Sequence, residues 1–312
     1  MTQTFIHVEH LTEVSTSAPT YLALGSFDGV HVGHQTVLQQ LVMASRAAGV
    51  RSAVLTFFPH PTRVLHHQGG PYYLTTLEDR VRLLAAQGVD LIITHPFNEE
   101  VRQTRAADFV DQLLRHLDMR QIWGGNFAFG YKREGDVPFL RRLGAVRGFT
   151  VALVESMVAV QGDWVSSSRI RRCLLDGNLD DAAACLGRPF HVAGEVVHGD
   201  QRGRTIGFPT ANLDVWSELL LPANGVYATY AWLNGQRYTA ATNVGVRPTV
   251  NGRTVTVEAY LLDFSGDLYG QQLRLEFIHH IRPEKKFSGL AELTAQIQAD
   301  VSDIRTLFSC KP

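Results

Sequence analysis

Cysteine is scarce in this chain: the three that occur, Cys173, Cys185 and Cys310, are scattered and form no C-x-x-C pair. Such an odd, dispersed set is not a disulfide framework, and reduced thiols in a cytoplasmic protein are the simplest expectation. Long hydrophobic runs are also missing, none approaching the roughly 18 residues of a membrane-spanning helix. The first twenty residues mix His, Glu and Thr without an apolar core, so they do not read as a signal peptide. There is no excess of charge of either sign, since 29 Lys and Arg face 30 Asp and Glu. That balance gives no electrostatic reason to expect nucleic acid or an anionic membrane as partner. Phosphate binding then has to be local, from backbone amides, helix ends and a few basic side chains. Repeats, low-complexity tracts and a Walker-type lysine loop are absent as well.

What is present suits two packed domains: 312 residues, 45% hydrophobic and 19% charged. From Thr20 to about Leu186 short apolar runs alternate with amphipathic stretches. Tyr21–Leu24, Ala53–Phe57, Leu91–Ile93, Gln121–Trp123 and Val151–Val154 read as five strands. Between them, Val37, Leu38, Leu41 and Val42 mark a helix ended by Gly49. Leu77–Gln87, ended by Gly88, and Phe109–Leu117 mark two more. This alternation predicts an α/β domain, a doubly wound parallel sheet covered on both faces, over residues 1–186. Its ligands belong at the carboxyl ends of the strands.

Past Gly187 the texture changes. Val192–Val197, Tyr227–Leu233, Tyr238–Asn243, Thr254–Asp263 and Leu273–Ile278 are strand-like with few helices between them, and Asn234-Gly235 signals a tight hairpin. A small antiparallel β-barrel over residues 187–312 is expected, closed by a helix from Leu290 to Phe308 with Leu293, Ile297, Val301 and Ile304 on one face.

Two segments carry chemistry. In Gly25-Ser26-Phe27-Asp28-Gly29-Val30-His31-Val32-Gly33-His34, between a strand and a helix, glycines allow a ligand close to the backbone and the helix start attracts phosphate. His31 and His34, three apart at the helix mouth, can donate hydrogen bonds to a phosphorus centre as charge builds on it. The pattern indicates nucleotidyl transfer but leaves the acceptor open among a phosphopantetheine, a cytidylyl acceptor and a flavin phosphate. Ser166 to Arg171 opens a later helix, where hydroxyls and arginines can grip a departing pyrophosphate.

The second segment runs from Gly203 through Gly207 to Pro209-Thr210-Ala211-Asn212. Thr210 and Asn212 point to one side of extended chain, and a hydroxyl with an amide oxygen can ligate a hard cation such as Mg2+ beside ATP phosphates. On the alternating run Thr254–Leu261, Glu258 shares a face with Thr256 and Tyr260. A carboxylate so placed can accept the proton of an attacking alcohol.

Taken together, the ordered motifs resemble the bacterial bifunctional riboflavin kinase/FMN adenylyltransferase (FAD synthetase) family over nearly the whole length. To the two segments above they add Phe57 to Pro61, Asn126 to Gly130, Ser166 to Arg171, Gly225 to Ala228, Asn243 to Thr249, Leu261 to Phe264 and Arg282 to Phe287. The resemblance implies that the barrel phosphorylates the riboflavin 5′-hydroxyl, with Thr210 and Asn212 holding Mg2+-ATP, Gly203 and Gly207 near its phosphates and Glu258 as general base. It implies that the first domain transfers AMP from a second ATP to FMN, giving FAD and pyrophosphate. There His31 and His34 stabilise the α-phosphate within a loop of Gly25, Phe27, Asp28 and Gly29. Asn126 lies near nucleotide or flavin phosphate, Ser167, Ser168 and Arg169 contact the triphosphate, and Arg282 and Phe287 neighbour the flavin of the kinase. The expected partners are these small molecules alone. Ser26 stands where the family often has Asn and Ser168 where Thr is common; both keep a hydrogen-bonding group. Two rivals remain at this point: another nucleotidyltransferase with an unrelated β-domain, and a flavin-binding protein without catalysis.

Overall fold

The computed structural model describes residues 5–14, 18–125, 127–154, 158–199, 203, 206–249 and 252–309. The chain divides into two compact units, residues 1–70 with 75–166, and residues 71–74 with 167–312.

In the first unit β1 (Ile6–Val8), β2 (Thr20–Gly25), α1 (Val32–Ala48), β3 (Arg51–Phe58), α2 (Pro61–His66) and α3 (Leu77–Ala85) come first. They are followed by β4 (Leu91–Pro96), α4 (Glu99–Gln103), α5 (Ala106–Leu117), β5 (Met119–Gly124), α6 (Val137–Arg147) and β6 (Thr150–Leu153). A small hairpin of β7 (Ala159–Val160) and β8 (Asp163–Trp164) ends the unit. The sheet order is β1-β4-β3-β2-β5-β6 with every pair parallel.

Strand alternation builds a core on each face. Leu22, Leu55 and Ile93 face one cluster with Phe109, Leu113 and Leu117 of α5. Ala23, Val54 and Ile92 face the other with Leu38 and Leu41 of α1 and Leu84 of α3. The expected five strands and three helices are all present within this doubly wound sheet. Gly49 caps α1 in the left-handed conformation, at φ +65°, while α3 stops at Ala85, two residues before the predicted Gln87. The sixth strand, β1, was not expected. It is three residues long at the sheet edge, with Ile6 52% exposed, too short and too exposed to show a period. Nor was α6, capped by Asp136 accepting from the Phe139 N–H at 2.8 Å, because its buried face includes Gly144 while the apolar Val146 is 75% exposed, which blurs the helical period.

The second unit starts with α7 (Ser167–Leu175) and α8 (Leu179–Leu186). A closed six-stranded antiparallel barrel of β9 (Phe190–Val197), β10 (Ala211–Val215), β11 (Gly225–Leu233), β12 (Gln236–Thr249), β13 (Gly252–Leu261) and β14 (Gln272–Pro283) follows. The helix α9 (Leu290–Ser309) completes it. Asn234 and Gly235 both take positive φ, +49° and +81°, as a two-residue type I′ hairpin requires. On α9, Ile304 is fully buried against Ala228 and Leu262, with Val301, Leu307 and Phe308 beside it. α7 packs on α8, and α8 packs on β9 and β14. The units therefore divide at Ser166/Ser167, earlier than the change of texture at Gly187, because texture records strand against helix and not which core a helix joins.

Candidate active sites

In the first unit the reactive loop leaves β2 at Gly25 and enters α1 at Val32. Three of its residues sit in the left-handed region: Phe27 at φ +47°, Gly29 at +83° and Val30 at +39°. For the two non-glycine residues this costs of order 1–3 kcal/mol each, so the surroundings must hold the loop. Phe27, Asp28 and Val30 are buried. His31 is the N-cap of α1, its Nδ1 accepting from the His34 N–H at 3.3 Å. The neutral ring then carries its proton on Nε2. The His31 and His34 rings stack at 3.6 Å, and Phe27 meets His34 edge-on at 5.1 Å. Burial first, then the charges of His31 and Arg80, push the His34 pKa well below the usual histidine value. Its Nδ1 is buried without a hydrogen-bond partner among the described residues, an orphan of the kind that a ligand satisfies.

Beside the loop lies a cavity of ≈500 Å³ whose wall includes Gly25 and Ser26. Phe57, Phe97, Phe109 and Phe129 supply apolar surface, and Lys132 and Arg133 add positive charge. An aromatic slot with cations beside it suits a flat ring system that carries phosphate. Asn126 lies outside the described residues.

Ser167, Ser168 and Arg169 open α7, in the second unit. The Arg169 guanidinium is buried and paired with Asp181 of α8, Nε to Oδ2 at 3.1 Å, and the Cys173 thiol also donates to Asp181, at 3.0 Å.

In the barrel, strand register assembles the second site. Asn212 of β10 pairs with Glu258 of β13, and Glu258 pairs on its other side with Asn243 of β12. The Thr210 hydroxyl donates to Glu258 Oε2 at 3.5 Å. Thr210 lines a cavity of ≈650 Å³ with Phe264 and Tyr269. Asn212 lines a second, of ≈720 Å³, with Trp216 and Thr256. The Asn212 amide lies so close over Gly199 that a Cβ there would come within 2.4 Å of it, so the absence of a side chain at 199 leaves room for the amide. At Gly203 a Cβ would fall 2.3 Å from the Phe208 carbonyl oxygen, and Gly207 takes φ +86°. The loop before Thr210 thus closes on itself, with the Phe208 N–H donating to the Gly203 carbonyl at 2.8 Å. Arg282 pairs with Asp300 of α9, Nη2 to Oδ2 at 2.7 Å, and its guanidinium lies 5.7 Å from the centre of the Phe287 ring.

Comparison with known proteins places both halves. Residues 13–169 match the FAD synthetase family model, and residues 186–308 match the riboflavin kinase model. Bifunctional riboflavin kinase/FMN adenylyltransferases of Listeria monocytogenes and Escherichia coli are 37% and 38% identical to the chain. They align over 98% and 92% of its length, and over the same shares of their own. The chain belongs to the bifunctional riboflavin kinase/FMN adenylyltransferase family. A solved structure titled a macrolide-efflux protein, from Streptococcus pneumoniae, superposes with a TM-score of 0.86 at 29% identity, covering 96% of this chain and 98% of its own. A riboflavin kinase half leaves no place for an unrelated appended β-domain.

Within this family member the sequence reading missed three groups that the fold supplies. Arg80 and Thr75 back the loop around Asp28. The aromatic cavity gathers residues from β3, α5 and two loops. Asn243 stands opposite Glu258. Asn243, Phe57 and Phe129 lie in the motifs Asn243 to Thr249, Phe57 to Pro61 and Asn126 to Gly130, where the sequence assigned them no role; Arg80 and Thr75 lie in none.

Proposed function

We propose that the chain makes FAD from riboflavin in two ATP-dependent steps, one in each unit. The observation that carries this reading is that each unit holds a reactive group of its own: the stacked His31 and His34 in the first, Glu258 with Thr210 in the second.

In the barrel the riboflavin 5′-oxygen attacks the γ-phosphorus of ATP, Glu258 takes the hydroxyl proton, and ADP leaves with FMN formed. Thr210 and Asn212 would hold Mg2+, which fits a hydroxyl and an amide oxygen beside a carboxylate. That ion supplies neutralisation of phosphate charge. The cavities lined by Thr210 and by Asn212 take nucleotide and flavin, with Gly203 and Gly207 allowing the preceding loop to approach the phosphates. Arg282 and Phe287 form a flavin-side wall that Asp300 keeps in place.

In the parallel-sheet unit an FMN phosphate oxygen attacks the α-phosphorus of a second ATP, and pyrophosphate leaves. His34, neutral at pH 7, and His31 each donate from one ring nitrogen to the non-bridging oxygens as charge develops there. No covalent enzyme intermediate is needed. The isoalloxazine ring lies in the aromatic cavity, with Lys132 and Arg133 toward its phosphate. Gly25, Phe27, Asp28 and Gly29 shape the loop, and Asn126 serves the phosphates. Ser167 and Ser168 would contribute hydroxyls to the departing pyrophosphate. Arg169, buried and paired with Asp181, ties the start of α7 to α8 and so supports Ser167 and Ser168.

Purified protein incubated with riboflavin, ATP and Mg2+, with flavins separated by chromatography over time, tests the reading. FMN appears first and FAD follows. No conversion of either riboflavin or added FMN would overturn it in favour of a binding protein.

A further inference from the structure

Asp28 lies inside the reactive loop with its carboxylate turned inward, and the group it meets is Arg80 of α3. The guanidinium stands 3.5 Å from Asp28 Oδ1, with the two side chains 0% and 1% exposed. The same guanidinium donates to Thr56 Oγ1 at 3.5 Å and to the Phe57 carbonyl at 3.4 Å, both at the end of β3. The Thr56 hydroxyl donates in turn to the Ser26 carbonyl at 2.8 Å. Thr75 adds three further hydrogen bonds. Its N–H and hydroxyl both donate to Asp28 Oδ1 at 3.3 Å, and its Oγ1 accepts from the Gly29 N–H at 3.4 Å. One helix start and one strand end therefore grip Ser26, Asp28 and Gly29, the residues between which the loop turns through its left-handed positions.

Burying a charge pair is a poor way to gain stability, because an apolar pair of the same volume does as well or better. What charge and hydrogen bonds add is direction. We propose that Arg80 is a positioning residue for FMN adenylylation: through Asp28 it holds the loop so that His31 and His34 face the ATP α-phosphate. This rests on the function proposed above for the first unit. An electrostatic effect accompanies it. His34 is faced by His31 from its own turn and by Arg80 from α3, with Asp28 the acid that partners Arg80; the Arg80 charge, and any proton gained by His31, oppose its protonation.

The full-length chain carrying Arg80→Met loses the charge and keeps a long apolar stem; Arg80→Lys keeps the charge. For Arg80→Met, kcat for FAD formation from FMN falls roughly 10- to 100-fold, as displacement of a reacting group does. The KM for FMN stays within about twofold, and riboflavin phosphorylation is unchanged. In NMR titrations the His34 imidazole midpoint moves upward, toward the ordinary value. Arg80→Lys recovers most of the rate and leaves that midpoint low. Wild-type FAD formation in Arg80→Met would overturn the proposal. So would equal losses in both variants with an unmoved His34 midpoint, since that is general loosening of the core. If Arg80→Met does not fold, Thr75→Val decides. It removes only the hydroxyl shared by Asp28 and Gly29 and lowers the same kcat, and a wild-type rate there overturns the proposal. Absence of FAD formation in the unsubstituted chain would instead sink the reading of function, whatever Arg80 does.

Discussion

His31 and His34 stack ring on ring, 3.6 Å between centroids and 15° from parallel, at the first turn of one helix. Two histidinium ions cannot share that spacing without strong repulsion, so at least one ring is neutral near pH 7, and the depressed pKa of His34 names which. A neutral imidazole donates one hydrogen bond and neutralises no charge, so its help comes from geometry. Losing one such donor in other oxyanion sites costs on the order of 10²–10³ in kcat. The double variant His31→Ala, His34→Ala is expected to stop FAD formation while FMN accumulates from riboflavin. Chromatography of the flavins reads both at once, and loss of FMN from the folded protein would contradict the separation of the two sites.

Glu258 carries the complementary expectation. Its removal takes away the proton acceptor for the riboflavin hydroxyl, a contribution typically of ~10²–10⁴-fold. Glu258→Gln keeps the size and the contact with Thr210 but not the basicity. Riboflavin phosphorylation should fall by that range, with added FMN still converted to FAD. A rate within about tenfold of the unsubstituted chain would remove Glu258 from the role of base.

Much of this was legible in the sequence where local pattern and tertiary packing agree. Leu22 and Ala23, Val54 and Leu55, and Ile92 and Ile93 are adjacent apolar pairs because both faces of the sheet are covered, and that continuous apolarity is what marks a parallel strand. Asn234-Gly235 revealed its hairpin through the positive φ values that both residues tolerate. The short edge strand β1 gave too few residues to show a period. Nothing local marked Arg80, because the acid it is buried with, Asp28, lies 52 positions earlier. The aromatic cavity was invisible for a similar reason: Phe57, Phe97, Phe109 and Phe129 meet only after the chain has folded. The reactive loops were legible because their chemistry is contiguous; what supports them is not.

Arg282 illustrates a residue with two expected roles that one experiment can separate. Asp300, only 3% exposed, accepts from Arg282 and from the Gln296 amide at 2.9 Å, anchoring α9 to β14. Arg282→Met leaves that carboxylate buried and without its cation, a change that costs about 3 kcal/mol in comparable pairs. A fall in Tm with an unchanged KM for riboflavin would make Arg282 an anchor alone. A raised KM in the double variant Arg282→Met, Asp300→Leu, which removes both charges, would establish the flavin contact.

His95 supplies a pH dependence of stability with a defined sign. Buried in the first unit and close to His10, its pKa is lowered from 6.5 to about 4, burial being the larger cause. Its Nδ1 accepts from the Leu11 N–H at 3.4 Å, which requires the neutral ring. Above pH 6.5 neither folded nor unfolded chain binds a proton here, and the full stability is present. Between 6.5 and about 4 the unfolded chain binds a proton that the folded one refuses, so stability falls as the pH falls. Urea unfolding at pH 7 and pH 5 should show that loss, and His95→Gln should flatten it. An equally steep loss in the variant would assign the effect to another group.

Gly203 offers the most local test of the barrel site. The Phe208 N–H reaches back to the Gly203 carbonyl, and a Cβ at residue 203 would sit 2.3 Å from the Phe208 carbonyl oxygen, far inside contact distance. Because that obstacle is backbone and not the tip of a flexible side chain, Gly203→Ala has to open the loop that leads into Thr210. The barrel core does not include residue 203, so Tm should change by little. The KM for ATP in riboflavin phosphorylation should rise, since Thr210 and the loop amides no longer meet the phosphates together. Adenylylation of added FMN should keep its rate. Unchanged kinase kinetics in Gly203→Ala would show that the loop can open without consequence, and that the close turn before Thr210 serves folding and not nucleotide binding.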